Sequence, residues 1–345
     1  MKIVRYLVLV VVCVLWLGGC FQPVMHQLYE TGVIVDDYRY GDLYRLSNLP
    51  QFKEGQRLCP EHASVLTTTT PVSETAPNLY VIGDSFTEHG RLSVGDLPVH
   101  WLRWQHWEDP KNQAVQLDTT RRNVLLLESV ERHLREHAAG PINNLLVVVD
   151  SNRTDGPKPA KPSLRAALVD MVRSKGIEER LETVLFSHDL FQVFREWKAV
   201  INQRWFNRVA PTVSLSTDKR HLFTDLDTNP DKPLNSSFST LTNAEVDSLV
   251  AQLNEAAARY KRAGFNDVLL SIIPNKATIE DPNRGGYNHL IERVQQHPAL
   301  SIKVVDVYPA FRMQHPAPYA VGDSHWNCTG RQLWLDSLAK KLTSL

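Results

Sequence analysis

The apolar positions of this chain fall into short continuous runs, separated by longer stretches with helical spacing. Leu79, Tyr80, Val81 and Ile82 form one such run, and Gly83 ends it. Further runs cover residues 123–127, 145–149, 268–273 and 302–307. Runs of this length, bounded by turn residues, read as buried strands. Residues 129–137 carry a helical pattern, as do residues 163–174 after a loop with Pro157, Pro159 and Pro162. The clearest helix starts at Thr242. Thr242 and Glu245 match a capping box, and Val246, Leu249, Val250, Leu253, Ala257 and Tyr260 share one face before Gly264 stops the helix. A last helix over residues 329–342 carries Leu335, Leu338 and Leu342. Strands alternating with helices predict an α/β fold, a three-layer domain whose central parallel sheet is covered on both faces. Residues 176–240, with Trp197 and Trp205, show no clear period and read as an irregular insertion or cap.

The N-terminus has a different pattern. Lys2 and Arg5 precede an apolar run of twelve residues, 6–17, followed by Gly18, Gly19 and Cys20. The run is shorter than the ~20 residues of a membrane span and within the ~7–15 of a signal-peptide core. The segment ending at Cys20 resembles a bacterial lipobox, which would leave Cys20 as a lipidated N-terminus; the other reading is an uncleaved signal anchor. Both export the remainder to the periplasmic side of a membrane and tether it there. Residues 21–77 form a tyrosine-bearing lead that ends near four threonines and Pro71, and residues 78–345 form the main domain.

Composition narrows the function classes. Lys plus Arg and Asp plus Glu both number 38, so no basic field argues for nucleic acid. Of four cysteines, Cys13 lies in the apolar run and Cys20 at its end, which leaves Cys59 and Cys328 for the exported part. In an oxidising compartment the two form either a disulfide or two separate buried thiols.

The candidate chemistry lies at the two ends of the main domain. Gly83, Asp84, Ser85 and Phe86 follow the first strand, so Ser85 is presented at the carboxyl edge of the sheet, where α/β proteins bind ligands. Near the C-terminus, Gly322, Asp323, Ser324, His325, Trp326 and Asn327 place a carboxylate and an imidazole two residues apart. A serine hydroxyl needs a base to take its proton, and the base needs a group to orient it; Ser85, His325 and Asp323 supply one of each. A turn at Ser85 and a packed core histidine are the structural alternatives. Asp323 and His325 find no third metal ligand at helical or hairpin spacing, and the chemistry calls for no cofactor. For the oxyanion, the backbone N–H of Ser85 at a helix start is one donor. Asn275 and Lys276, just beyond a strand's carboxyl end, are better placed than the Gly264–Asp267 block at the opposite edge. Trp326 and Glu128 are further candidate contacts. Glu131 and Arg132 border the site too, with a salt-bridged helix start as the simpler reading, and Asp150 and Asn152 either meet a sugar or cap a loop.

These two motifs resemble those of the SGNH hydrolase-like domains of the alginate O-acetyltransferases and their relatives. Weaker echoes lie in residues 125–132 and 273–276. In that family Ser, His and Asp form the triad, with D-x-H placed before GDSF. Here the serine comes first, as in ordinary SGNH esterases. The resemblance implies an SGNH/flavodoxin-like fold and transfer of acetyl to a cell-envelope or secreted polysaccharide, with a membrane partner delivering the acetyl group. A carbohydrate acetylesterase and a non-catalytic polysaccharide-binding or assembly subunit are the alternatives.

The anchor is testable. A Cys20→Ser variant is expected to lose incorporated fatty acid and to keep its signal peptide; an unchanged mature mass would refute lipidation.

Overall fold

The protein is described from a computed structural model, which covers residues 2–20, 27, 31–32, 38–55, 59, 75–88, 91–148 and 188–345. In chain order the elements are α1 (Lys2–Cys20), α2 (Asp42–Ser47), β1 (Asn78–Gly83), β2 (Trp101–His106), β3 (Gln113–Val115), β4 (Asn123–Val130), α3 (Glu131–His137), β5 (Leu145–Val147), α4 (Asp189–Phe206), β6 (Val213–Leu215), β7 (Leu222–Thr224), α5 (Asp225–Thr228), α6 (Asn243–Arg262), β8 (Asp267–Ile273), α7 (Lys276–Glu280), α8 (Leu290–Gln295), β9 (Lys303–Val304), α9 (Tyr308–Met313) and α10 (Cys328–Thr343). By its contacts the chain divides into two compact units, Met1–Gln56 with Arg153–Ala210, and Arg57–Asn152 with Pro211–Leu345. Thus residues 176–210 and 211–240 of the expected insertion belong to different units.

In the larger unit, five strands form a wholly parallel sheet in the order β2-β1-β4-β8-β9. Every residue of β1, β4 and β8 is buried, so these central strands read as continuous apolar runs rather than as alternations. Alternate side chains still go to opposite faces. Tyr80, Ile82, Leu125, Leu127, Val268 and Leu270 pack with Leu134 of α3, with the apolar face of α6 and with Leu290, Ile291 and Val294 of α8. Leu79, Val81, Val124, Leu126 and Leu269 pack with Phe86, Phe311 of α9 and Trp334, Leu335 and Leu338 of α10. The fold is therefore the expected three-layer α/β arrangement. The capping box at α6 is formed from both sides: Thr242 Oγ1 accepts the Glu245 amide at 3.2 Å, and the Glu245 carboxylate accepts the Thr242 amide at 2.7 Å.

Several boundaries differ from the sequence expectation, each for a pairing reason. The helix expected over 129–137 begins at Glu131, because Glu128, Ser129 and Val130 still pair with Ser271, Ile272 and Ile273 of β8. The run at 145–149 yields β5, which pairs with β3 in a separate two-stranded sheet. The fifth place in the main sheet goes to β2, whose exposed or half-buried residues, save Gln105, gave no apolar run. The run at 302–307 shortens to β9, although Val305 N still donates to Leu270 O at 2.8 Å. The segment 176–240 is not irregular in its described part. It holds α4 and the antiparallel pair β6–β7. Asp150, Asn152, the proline loop, the helix expected at 163–174 and the threonine stretch before Pro71 lie outside the described residues. Among the described residues no helix is long and apolar enough to cross a membrane. The side chain of Cys20 lies outside them.

A disulfide joins Cys59 to Cys328, with Cα atoms 5.2 Å apart and a sequence separation of 269. Cys328 opens α10 three residues after His325, so the bond fixes the C-terminal end of that loop. Non-reducing peptide mapping of the purified protein is expected to find this pair. The Cys59→Ser/Cys328→Ser variant should lose about 2–4 kcal/mol in urea unfolding; free thiols in the wild type would refute the pairing.

Candidate active site

The order in which strands are added to the sheet reverses between β1 and β4. β1 is followed by β2 on one side, and the chain then returns to β4 on the other, which opens a crevice at the carboxyl ends of β1 and β4. Ser85 lies in the turn that leaves β1 there. β4 runs three residues beyond its pairing with β1, so Glu128 comes to lie beside that turn. Its Oε2 accepts the Asp84 amide at 3.0 Å and the Thr87 hydroxyl at 2.7 Å, and Trp104 Nε1 donates to the same hydroxyl at 3.1 Å. The Asp84 carboxylate fastens the turn to the end of β4, accepting Phe86 N at 3.0 Å and Val130 N at 2.7 Å. Gly83 is required by this crowding: a Cβ there would lie 2.3 Å from Thr87 Oγ1 and 2.7 Å from Glu128 Oε2. Burial, reinforced by the nearby Asp84 charge, pushes the Glu128 carboxyl well above its usual range.

The partner loop precedes α10. Lys276 Nζ reaches the carbonyl oxygens of Ala320, Val321 and Asp323 at 2.6, 2.9 and 3.1 Å. Tyr319 Oη donates to Pro274 O. Asn327 works in two directions: its Nδ2 donates to Ala317 O at 2.8 Å, and its Oδ1 caps α10 by accepting Thr329 N and Gly330 N at 2.9 and 3.1 Å. Trp326 is wedged edge-on against Phe86, with Trp334 on its other side.

These two scaffolds bring Ser85, His325 and Asp323 into one hydrogen-bonded chain. His325 Nε2 is 2.8 Å from Ser85 Oγ, and Nδ1 is 2.6 Å from Asp323 Oδ1, which also accepts the His325 amide at 2.9 Å. Asp323 can only accept, so it fixes the Nδ1–H tautomer and leaves the Nε2 lone pair facing the serine hydroxyl. Burial works against the Asp323 charge, but the hydrogen bonds from His325 outweigh it and hold the carboxyl well below the usual range. The His325 and Asp323 side chains are largely buried, and Ser85 is partly buried. Such a chain can take a proton from Ser85 as its oxygen attacks an electrophilic carbon, and return it to a leaving group.

The other predicted contacts are placed differently. Lys276 gives its three protons to the loop and so positions Asp323, leaving none for an oxyanion. Asn275 is fully buried, with Oδ1 accepting Arg132 N and Nδ2 donating to Ser237 Oγ. Trp326 serves packing, and Glu128 lies beneath the turn rather than at its surface. Backbone amides at strand ends have to be satisfied once the ladder stops, and these side chains do that. Ser85 sits in a turn and not at a helix start, and its N–H has no acceptor among the described residues. Asn266 and Asp267 lie at the opposite edge as expected: Asn266 Oδ1 accepts Asn123 N at 2.7 Å, and Asp267 pairs with Arg122 and Lys303. Asp84, Thr87 and Trp104 were not picked out beforehand. Asp84 stands inside the motif, but nothing local marks Trp104.

Glu131 and Arg132 form the expected salt-bridged helix start, and the structure adds that it is buried. Arg132 makes a buried pair with Asp227, and Glu131 Oε2 accepts Asn275 N at 2.9 Å and the Thr278 hydroxyl at 2.7 Å. Burial, only partly offset by those bonds and assisted by the Asp227 charge, pushes the Glu131 carboxyl up to about 7. The native state thus holds this proton while the unfolded chain loses it near 4.5. The carboxyl's contribution to stability is complete below the unfolded value and is lost as pH rises towards 7. At ~1.4 kcal/mol per pKa unit the loss is about 3 kcal/mol. Glu131→Gln keeps the acceptor and removes the titration, so its stability, measured by urea unfolding across this window, is expected to stay flat where the wild type falls. No protein family, curated protein or solved structure was found to match this chain.

Proposed function

We propose that this protein is an exported SGNH-like O-acetyltransferase that uses Ser85, His325 and Asp323. One observation carries the reading: the hydrogen-bonded series Ser85 Oγ, His325 Nε2, His325 Nδ1, Asp323 Oδ1 at the carboxyl edge of a parallel sheet. In the reaction, Ser85 Oγ bonds to the acyl carbon of an ester as its proton moves to His325 Nε2. The carbon–oxygen bond to the leaving group breaks, and that oxygen takes the proton from His325. An acceptor hydroxyl then repeats the sequence in reverse, giving its proton to His325 and releasing Ser85. Asp323 holds the ring and stabilises the imidazolium without taking the proton itself. The Ser85 amide is the candidate oxyanion donor.

The acetyl group, the polysaccharide acceptor and a membrane partner supplying acetyl come from the resemblance carried by GDSF and D-x-H-W. Export is supported by the basic, apolar N-terminus and by the Cys59–Cys328 disulfide, since such bonds persist in oxidising compartments. An acetylesterase would share the covalent intermediate and pass the acetyl group to water.

The purified protein is expected to release p-nitrophenol from p-nitrophenyl acetate and to become transiently acetylated on Ser85. Ser85→Ala and His325→Ala should each lose on the order of 10⁴–10⁶ in kcat, because triad members act as a unit, and Asp323→Asn less. With oligosaccharides added, a transferase forms O-acetyl sugar faster than acetate, and an esterase does not. Equal inactivity of wild type and Ser85→Ala, with both binding polysaccharide, would replace catalysis with a binding role.

A further inference from the structure

The smaller unit contains a helix that is inverted relative to the usual surface helix. The side of α4 that packs onto its own unit is polar. Gln192 Nε2 donates to Asn48 Oδ1 at 2.8 Å, and the Glu196 carboxylate accepts Lys53 Nζ at 3.0 Å and the Tyr44 hydroxyl. Gln203 Oε1 accepts Gln51 Nε2 at 3.2 Å. The opposite side is apolar and faces outward: Phe194 is 57% exposed, Trp197 61%, Ile201 49% and Trp205 78%. At ~100° per residue these four lie within an arc of about 80°. A soluble surface helix carries its apolar stripe inward and its polar face to water. A contiguous aromatic face turned outward marks a surface that meets something apolar.

The charges indicate what that is. Both acids of the helix are engaged by cations of the same unit, Asp189 by Arg39 at 2.8 Å and Glu196 by Lys53. The outward rim carries cations instead: Lys198 and Arg204 flank the apolar arc on its two sides, and Arg208 follows just beyond the helix, all three exposed. A tryptophan-bearing apolar face with a basic rim and no unpaired acid matches the boundary between acyl chains and anionic headgroups. The same unit also begins with the apolar helix α1, whose exposed residues 3, 4 and 6–12 are all large and hydrophobic. A tether of that kind keeps the rest of its unit at high local concentration near a bilayer.

We infer that α4 is an interfacial membrane helix, which lies in the surface of an anionic bilayer with Phe194, Trp197, Ile201 and Trp205 inserted and Lys198, Arg204 and Arg208 on the headgroups. The inference is independent of the chemistry proposed for Ser85. The full chain, reconstituted in phosphatidylglycerol/phosphatidylethanolamine vesicles, would be examined by tryptophan quenching with lipids brominated along the acyl chain. The chain has eight tryptophans, so a Trp197→Phe/Trp205→Phe variant keeps the apolar face while removing two reporters. Its quenchable emission is expected to fall by an amount on the order of two tryptophans' share. Lys198→Glu/Arg204→Glu should cut the contribution of Trp197 and Trp205 at least severalfold, as should replacing the anionic lipid with phosphatidylcholine. If wild type and the double phenylalanine variant are quenched equally, the face does not enter lipid and a protein surface covers it, which overturns the proposal. Both variants leave the polar packing side of α4 intact, and circular dichroism verifies that the helix is retained.

Discussion

The Asp84 carboxylate, one oxygen on Phe86 N and the other on Val130 N, is the interaction on which the rest of the site depends. β1 ends at Gly83 while β4 continues to Val130, so the ladder between them stops and leaves amides with no strand opposite. A buried amide without an acceptor costs about 1–3 kcal/mol. Asp84 satisfies two at once and thereby fixes the direction in which Ser85 leaves the sheet. Glu128 does the same for the Asp84 amide from below. The nucleophile turn is therefore held by side chains that never face a ligand.

The same logic shapes the far side of the crevice. Where β8 ends, Glu131 accepts the amide of Asn275, the Asn275 side chain accepts that of Arg132, and Lys276 gathers three carbonyls of the loop bearing Asp323. The outcome is a pair of scaffolds that hold all three partly buried members of the triad in one hydrogen-bonded series. This arrangement has a cost: two carboxyls, Glu128 and Glu131, are buried with raised pKa values, and one oxygen of each finds no hydrogen-bond partner among the described residues. Such expensive groups persist where a fixed geometry matters more than maximal stability.

Polar packing is arranged differently in the smaller unit. There α4 is held by Tyr44, Asn48 and Lys53 through hydrogen bonds and ion pairs, which frees its aromatic side for an external contact. An ordinary helix gains its stability from apolar burial within its own domain. This one has to find that burial elsewhere.

The sequence by itself determined the layers of the larger unit. Fully buried parallel strands write themselves as apolar runs, α6 declares its cap and its face, and α10 its leucines, so the three-layer α/β class and the approach of the GDSF turn to the Asp-x-His loop were legible. Strand β2 was not, because an edge strand is covered on one side only and its residues need not be apolar. Helix α4 was not read from the sequence either: residues 194, 197, 201 and 205 share one face, but the other apolar residues of the helix, such as Phe191, Val193 and Phe206, blur the period, and pattern alone does not say whether an apolar face turns inward or outward. The roles of Glu128, Lys276, Asn275 and Trp104 were also decided only in three dimensions. Pattern reports how much of a side chain is buried, but a hydrogen-bond partner at the end of another strand depends on register, and register is a property of the assembled sheet.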